Sequence, residues 1–379
     1  MSVGLHDGML MLMNRRIVGL MLASIFGLSI LFFQLFEVTG ARDTPEEADG
    51  FYERIAAGDD YSFLIVGDSI GRGSGASSPS TAWFSLFEKG VSEKYGSNGE
   101  RISIVQSGAT AFEGFMKYKD EKPSSPVNLV FLVFGENDRK YMNEKQFSYF
   151  YEKLLRVLRI DHPAADIVTI TESCLAYEGF AKEIARLSKA YGATNIDMRI
   201  PFNASGLSPD KLTTDKVHPN DAGYLLYANE ILKTIQEKSE AKNTKEIAVL
   251  PSPVNGNLGI DYKLLTNPSI NSGFVNMRDG YFSKTKNSYL EYTFEGTMVG
   301  FLLERGPDGG MIDVTIDGKP AETLATWWPF ERSRYNYIAS SLEDSQHTIR
   351  FTFNGERLST DSKSGQPSVK IKAIVVEKQ

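Results

Sequence analysis

Cysteine is almost absent: Cys174 is the only one in 379 residues. A single thiol excludes any disulfide within the chain and says little about compartment. Cys174 follows the apolar stretch 167–171 with no histidine near it, so it reads as structural rather than nucleophilic. Histidine is scarce too, at four residues, and no Cys/His cluster has the spacing of a metal site. No metal and no cofactor is expected. Long basic runs are missing and the formal charge is −7. A phosphate-binding face needs an excess of Lys and Arg, so no nucleic-acid partner is expected. Repeats and low-complexity tracts are missing as well. A chain 41% hydrophobic and 23% charged has the balance of one that buries a core.

Long hydrophobic runs are few, and one is conspicuous. Residues 17–36 read IVGLMLASIFGLSILFFQLF without a charge, enough helix to cross a hydrocarbon core of about 30 Å. Arg15 and Arg16 precede it and Glu37 follows. The positive-inside rule then predicts a cytoplasmic tail at 1–16, a transmembrane signal anchor at 17–36 and an extracytoplasmic remainder. Two other readings stay open: a signal peptide cleaved near the small residues 38–41, and a buried core helix.

Residues 37–60 read as an acidic spacer, helical in part over 46–57. From 61 to 238 short apolar runs alternate with amphipathic stretches. Strands are expected at 63–66, 102–106, 129–134, 167–171 and 194–196, and helices at 82–95, 144–158, 180–191 and 221–237. In the last helix Leu225, Ala228, Leu232 and Ile235 fall on one expected buried face. The strands do not alternate, as strands buried on both sides do not. This pattern predicts an α/β three-layer sandwich around a parallel sheet. A polar linker is expected over 239–258. Over 259–379 the helical period is gone, and strands at 289–294, 298–303, 311–316, 348–353 and 369–376 are separated by turn signals such as Asn354-Gly355. An antiparallel β-sandwich accessory domain is expected there.

Three local patterns bear on chemistry. Gly67-Asp68-Ser69 follows the first strand, at the strand end where open α/β sheets bind ligands. Gly135-Glu136-Asn137-Asp138 follows the third strand, and an asparagine there offers two N–H donors. Asp215-Lys216-Val217-His218-Pro219 leads into the last helix and sets an acid three residues before a histidine. Each alone also fits an ordinary turn. His162, before the fourth strand, reads as a surface turn. Together the patterns supply what ester cleavage needs: a nucleophile, a base, a group that orients the base, and oxyanion donors.

Over residues 61–238 the sequence resembles the SGNH (GDSL-like) hydrolases. The blocks that carry the resemblance are Val66-Gly67-Asp68-Ser69, Gln106-Ser107-Gly108-Ala109, Gly135-Glu136-Asn137-Asp138 and Asp215 to Asn220, in the family order. The resemblance implies an SGNH/flavodoxin-like sheet and a Ser-His-Asp esterase. Ser69 would be the nucleophile, His218 the base and Asp215 its orienting acid. The backbone N–H groups of Ser69 and Gly108, with the Asn137 amide, would form the oxyanion hole. Asp68 and Asp138 would hold loops. Arg72 and Arg139 flank the site in sequence and would either contact an anionic substrate or, the favoured reading for each, be solvated surface residues. The family includes lipases, thioesterases, carbohydrate acetylesterases and acetyltransferases. The expected membrane tether and the β-sandwich, similar to jelly-roll modules of carbohydrate esterases, favour an acylated glycan as partner and O-deacetylation as the reaction. An O-acetyltransferase, a lipid-directed esterase and a non-catalytic carbohydrate-binding or assembly protein are the alternatives. Trp327, Trp328, Phe330, Tyr335 and Tyr337 would either stack on sugars or fill the sandwich core.

Overall fold

The computed structural model describes residues 50–241, 250–256, 258–358 and 365–378. The expected cytoplasmic tail and membrane anchor lie outside the described residues. Among the described residues no helix is long and apolar enough to cross a membrane.

The α/β layer is built from five parallel strands in the order β2-β1-β3-β4-β5, at Tyr61–Gly67 (β1), Gly99–Val105 (β2), Leu129–Val133 (β3), Asp166–Thr171 (β4) and Thr194–Asp197 (β5). The two faces of β1 explain why its sequence shows no polar alternation. Leu64 and Val66 join the core with Phe112, Phe150 and Leu154. Phe63 and Ile65 point the other way, among Trp83, Phe87, Tyr227 and Ile231. Successive side chains leave a strand on opposite faces, and here both faces are covered. The first face carries helices α3 (Ala111–Glu121), α4 (Glu144–Asp161) and α5 (Glu178–Ala190). The second carries α1 (Phe51–Ala57), α2 (Trp83–Tyr95) and, after the short helices α6 (Arg199–Ala204) and α7 (Pro209–Leu212), the long α8 (Asp221–Glu240). In this strand order the chain reverses its direction of travel at β1 and β3, which opens a crevice beyond their carboxyl ends.

Two sequence expectations are corrected. Helix α8 buries Tyr224, Tyr227, Ala228, Ile231 and Ile235, while Leu225 is 50% exposed. The buried face is rotated toward the tyrosines because each finds a polar partner: Tyr224 Oη donates to the Ser74 carbonyl at 2.7 Å and Tyr227 Oη to Ser173 Oγ at 3.1 Å. His162 is no surface residue. It is 1% exposed, with Nε2 3.0 Å from Tyr118 Oη and Nδ1 accepting from the Val127 N–H at 3.3 Å. Burial pushes its imidazole down to about 4. Helix α3 had no counterpart in the sequence reading, although Thr110 caps it by accepting the Glu113 N–H at 3.3 Å.

The C-terminal part is a sandwich of two antiparallel sheets. One runs β13-β12-β15-β10-β7; the other runs β14-β11-β16-β9-β8, with β6 also paired to β16. The strands β6 to β16 are Tyr262–Leu265, Ile270–Ser272, Val275–Met277, Gly280–Ser283, Tyr289–Glu295, Met298–Arg305, Met311–Ile316, Lys319–Ala325, Arg332–Ser340, Gln346–Phe353 and Val369–Glu377. Leu290, Tyr292 and Phe351 of one sheet meet Val299, Phe301 and Ile371 of the other. The sandwich does not hang free. Tyr337 of β14 packs edge-on to Phe112 of α3 and Phe150 of α4, at centroid distances of 6.0 and 5.5 Å. Met298 and Val375 join the same α/β core. Residues 251–255 are bound to α4, with the Val254 and Asn255 N–H groups donating to Glu152 at 2.6 and 2.8 Å.

Candidate active site

The turn after β1 carries Ser69, which is 5% exposed. It is wound tightly. The Ile70 N–H donates to Asp68 Oδ1 at 2.8 Å, the Ser74 N–H to the Ser69 carbonyl at 2.9 Å, and Trp83 Nε1 to the Ile70 carbonyl at 2.9 Å. His218 reaches Ser69 from the loop before α8, with Nε2 2.9 Å from Ser69 Oγ. Its Nδ1 lies 2.7 Å from Asp215 Oδ2. A carboxylate only accepts, so Nδ1 carries the proton and Nε2 is left to accept from the serine hydroxyl.

Asp215 is shaped for this by its own loop. Its Oδ1 accepts the Val217 and His218 N–H groups at 3.0 and 2.8 Å, and Lys216, between Asp215 and Val217, sits at φ 71°. The His218 backbone N–H above all, with the His218 ring and the Val217 N–H, pulls the carboxyl down to about 2 against partial desolvation. The loop is pinned to the Ser69 turn through Gly75, at φ +100°. A Cβ there would lie 2.3 Å from the Pro219 carbonyl oxygen and 3.1 Å from His218 Cβ. Asp221, at the start of α8, accepts from Ser77 N–H at 2.8 Å, Ser77 Oγ at 2.6 Å and Thr81 Oγ1 at 2.8 Å.

The other two turns close on the same rim. The Gln106 N–H donates to the Gly67 carbonyl at 3.0 Å, and the Asp68 N–H to the Val133 carbonyl at 3.2 Å. Gly108 follows β2 at φ +73°. Asn137 Nδ2 donates to Asp68 Oδ2 at 2.7 Å, which leaves its second N–H free for another acceptor. Among the described residues neither the Ser69 N–H nor the Gly108 N–H has a hydrogen-bond partner. The rim therefore presents a hydroxyl, a polarised imidazole and three spare N–H donors.

Behind it lie carboxyl groups that sequence reasoning had given only a loop role or had passed over. Asp138 is fully buried and accepts the Ala111 N–H at 2.7 Å, which ties the Asn137 turn to the start of α3. Burial above all, with the field of Asp68, pushes its carboxyl well up. Glu172, just past β4, accepts the Glu136 N–H at 2.7 Å and is a hydrogen-bond partner of Asp68. Burial raises both members of this pair, Asp68 to about 6. Glu172 had a readable signal, its place at a strand's carboxyl end.

The Gly108 turn has a support that no local signal announced. Arg334, on β14 of the sandwich, donates through Nε to Glu113 Oε1 at 3.0 Å and through Nη2 to Glu113 Oε2. Gln106 Nε2 donates to the same Glu113 carboxylate. All three residues are buried, and a Cβ on Gly108 would sit 3.5 Å from Arg334 Nη1. The aromatic cluster divides: Tyr337 is core, Tyr335 Oη donates to Asp120 at 2.6 Å, and Trp328 and Phe330 lie beside Arg332. Arg139 is ion-paired to Glu136 at 2.5 Å. Cys174 is half-buried, and desolvation first and the nearby carboxylates next push its thiol up, away from thiolate chemistry. Among the described residues no group of three His, Cys, Asp or Glu side chains is arranged to hold a metal ion.

No curated protein matches the chain. Among solved structures it is similar to a two-domain esterase (CEX) active on acetylated mannans, with TM-score 0.67, 17% identity, and coverage of 86% of this chain and 94% of that one. The same esterase co-crystallised with mannopentaose gives TM-score 0.66 and 16% identity, with coverage of 86% and 94%. An acetylxylan esterase, Axe2 from Geobacillus stearothermophilus, matches with TM-score 0.41 and 16% identity over 48% of this chain and 96% of its own. Residues 65–226 match the model of the GDSL-like lipase/acylhydrolase family. Over that segment the chain is similar to the GDSL-like lipase/acylhydrolases, and it is a carboxylic ester hydrolase.

Proposed function

We propose that the chain removes O-acetyl groups from a polysaccharide by a Ser69–His218–Asp215 mechanism. One observation carries the reading: the unbroken hydrogen-bonded series from Ser69 Oγ to His218 Nε2 and from Nδ1 to Asp215, at 2.9 and 2.7 Å. Ser69 Oγ bonds to the acyl carbon while its proton passes to His218 Nε2. The carbonyl oxygen takes up negative charge, which the Ser69 and Gly108 N–H groups and the Asn137 amide stabilise. The bond from acyl carbon to sugar oxygen then breaks, and the sugar oxygen takes the proton from His218. Water, deprotonated by the same imidazole, attacks the acyl-serine; acetate leaves and the hydroxyl is restored. Asp215 keeps the imidazole in the working tautomer and stabilises its charged form. The likeness in fold to an esterase active on acetylated mannans supports acetyl as the acyl group and a glycan as its carrier.

The charge pattern around residues 17–36 supports a catalytic part held outside the cytoplasm by a membrane anchor. A reporter fused after residue 379 that is active only in the cytoplasm would contradict that placement. The activity is tested by acetate release from O-acetylated mannan and xylan, comparing the full chain with Ser69→Ala. Release by the full chain and none by the variant is expected; equal release by both would end the serine mechanism.

A further inference from the structure

Four arginines gather on the Gly108 side of Ser69. Arg334 and Arg305 are the inner pair. Arg334 is bonded to Glu113. Arg305 donates through Nη2 to Asn336 Oδ1 at 3.2 Å and faces Glu322. Two cations and two carboxyls balance there. Arg72 and Arg332, the outer pair, have no such answer. Arg72, three residues past Ser69, is exposed and donates through Nη1 to Ser107 Oγ at 3.3 Å, beside Gly108. Arg332 lies 5.3 Å from the Trp328 ring centroid and 5.7 Å from that of Phe330, and the Arg334 guanidinium lies 5.5 Å from the same Trp328 ring. Neither Arg72 nor Arg332 is ion-paired among the described residues. Burial, then the positive fields of Arg334 and Arg72, hold the Arg332 guanidinium below its ordinary value, while Glu113 acts the other way. Like charges collected at one mouth repel each other, and the chain that collects them is acidic overall, at −7. An anion between them relieves that repulsion.

We propose that Arg72 and Arg332 form an anion subsite beside the Ser69–Gly108 rim, so that the substrate is a glycan carrying a negatively charged group close to its acylated sugar. The guanidinium fork matches a planar carboxylate or a sulfate oxygen pair through two parallel N–H donors. Trp328 and Phe330 offer apolar faces for the sugar ring that carries the charge. The proposal deepens the deacetylase reading and rests on it for the acyl group alone.

Binding without turnover separates the two. In the full chain bearing Ser69→Ala, titration calorimetry compares three O-acetylated oligosaccharides of equal length: a galacturonide, a sulfated manno-oligosaccharide and a neutral manno-oligosaccharide. The charged ligands are expected to bind at least about tenfold more tightly at low salt, a margin that shrinks as sodium chloride is raised. Galacturonide ahead of the sulfated ligand assigns the charge to a uronate, the reverse order to a sulfate ester. Adding Arg72→Gln and Arg332→Gln brings the charged ligands to the neutral level. Lys189→Gln, at the far end of α5 and opposite the rim, leaves the margin unchanged. Equal, salt-independent affinity for all three ligands overturns the proposal, as does a margin that survives the double arginine substitution. Failure of the esterase reading appears separately, as absent acetate release by the unsubstituted chain.

Discussion

Asp215 is more than half exposed on its side chain yet stays ionised down to about pH 2, because its own loop turns two N–H groups and an imidazole N–H toward it. Orientation of the His218 ring is thus decided within four residues, while the serine it contacts is 149 positions away. Asn137 works from the opposite side, one N–H spent on Asp68 and one spare. Asn137→Ala is expected to lower kcat on p-nitrophenyl acetate by about 10²–10³-fold with the fold intact. Circular dichroism with steady-state rates checks this, and an unchanged kcat would remove Asn137 from the hole. The Asp68–Glu172 pair gives a pH signature. Both carboxyls are raised in the folded chain, so folding retains a proton that the unfolded chain releases. That contribution is complete below the ordinary carboxylate range and is lost as pH rises through about 6. Glu172→Gln, which still accepts from Glu136 and donates to Asp68, is therefore expected to raise the melting temperature more at pH 8 than at pH 4.5. Equal shifts at both pH values would contradict a shared proton.

At the scale of elements, the strands were legible because β3 and β4 are wholly buried runs, and β1 is one but for Ser62, with β-branched residues. The turns after β1, β3 and β2 announced the candidate site through Gly67-Asp68-Ser69, Asn137 and Gly108. Helix α3 was not legible: Ala111 to Tyr118 is buried almost all round, so no polar face marks the helical period. The face of α8 was misjudged for a related reason, since counting only aliphatic residues overlooks buried tyrosines whose hydroxyls are satisfied. Loop-on-loop contact was equally invisible. Gly75 lets the histidine loop sit against the serine turn, and a side chain there would meet the Pro219 carbonyl at 2.3 Å. Gly75→Ala is expected to displace His218 and lower kcat at least about tenfold, with a smaller effect on the melting temperature than a core truncation such as Leu154→Ala, about 2–5 kcal/mol. Wild-type kcat in Gly75→Ala would mean that the loop yields without moving the base.

For the whole molecule, the question is why a hydrolase layer and a β-sandwich share one core. Tyr337, Met298 and Val375 fill space among Phe112 and Phe150, and the Arg334–Glu113 pair is buried within the seam, at 5% and 4% side-chain exposure. Such a pair costs desolvation when formed, but breaking it leaves a buried charge without a partner. Arg334→Met is expected to destabilise the chain by about 3–5 kcal/mol in urea unfolding. It is also expected to lower kcat on p-nitrophenyl acetate by freeing Glu113 and Gln106 behind the Gly108 turn. A variant as stable and active as the parent would show that the sandwich only sits alongside. This support had no trace in the sequence, where 221 positions separate the two residues; composition and periodicity report on neighbours, not on such pairs.

The central claim is that Ser69 is the nucleophile and His218 its base. A fluorophosphonate probe forms a stable bond only with a hydroxyl whose proton a neighbouring base removes, and intact and peptide mass spectrometry locate the adduct. The account predicts one adduct, on Ser69, absent in Ser69→Ala and strongly slowed in His218→Ala. An adduct on another residue, or an unlabelled chain that still hydrolyses esters, would contradict it.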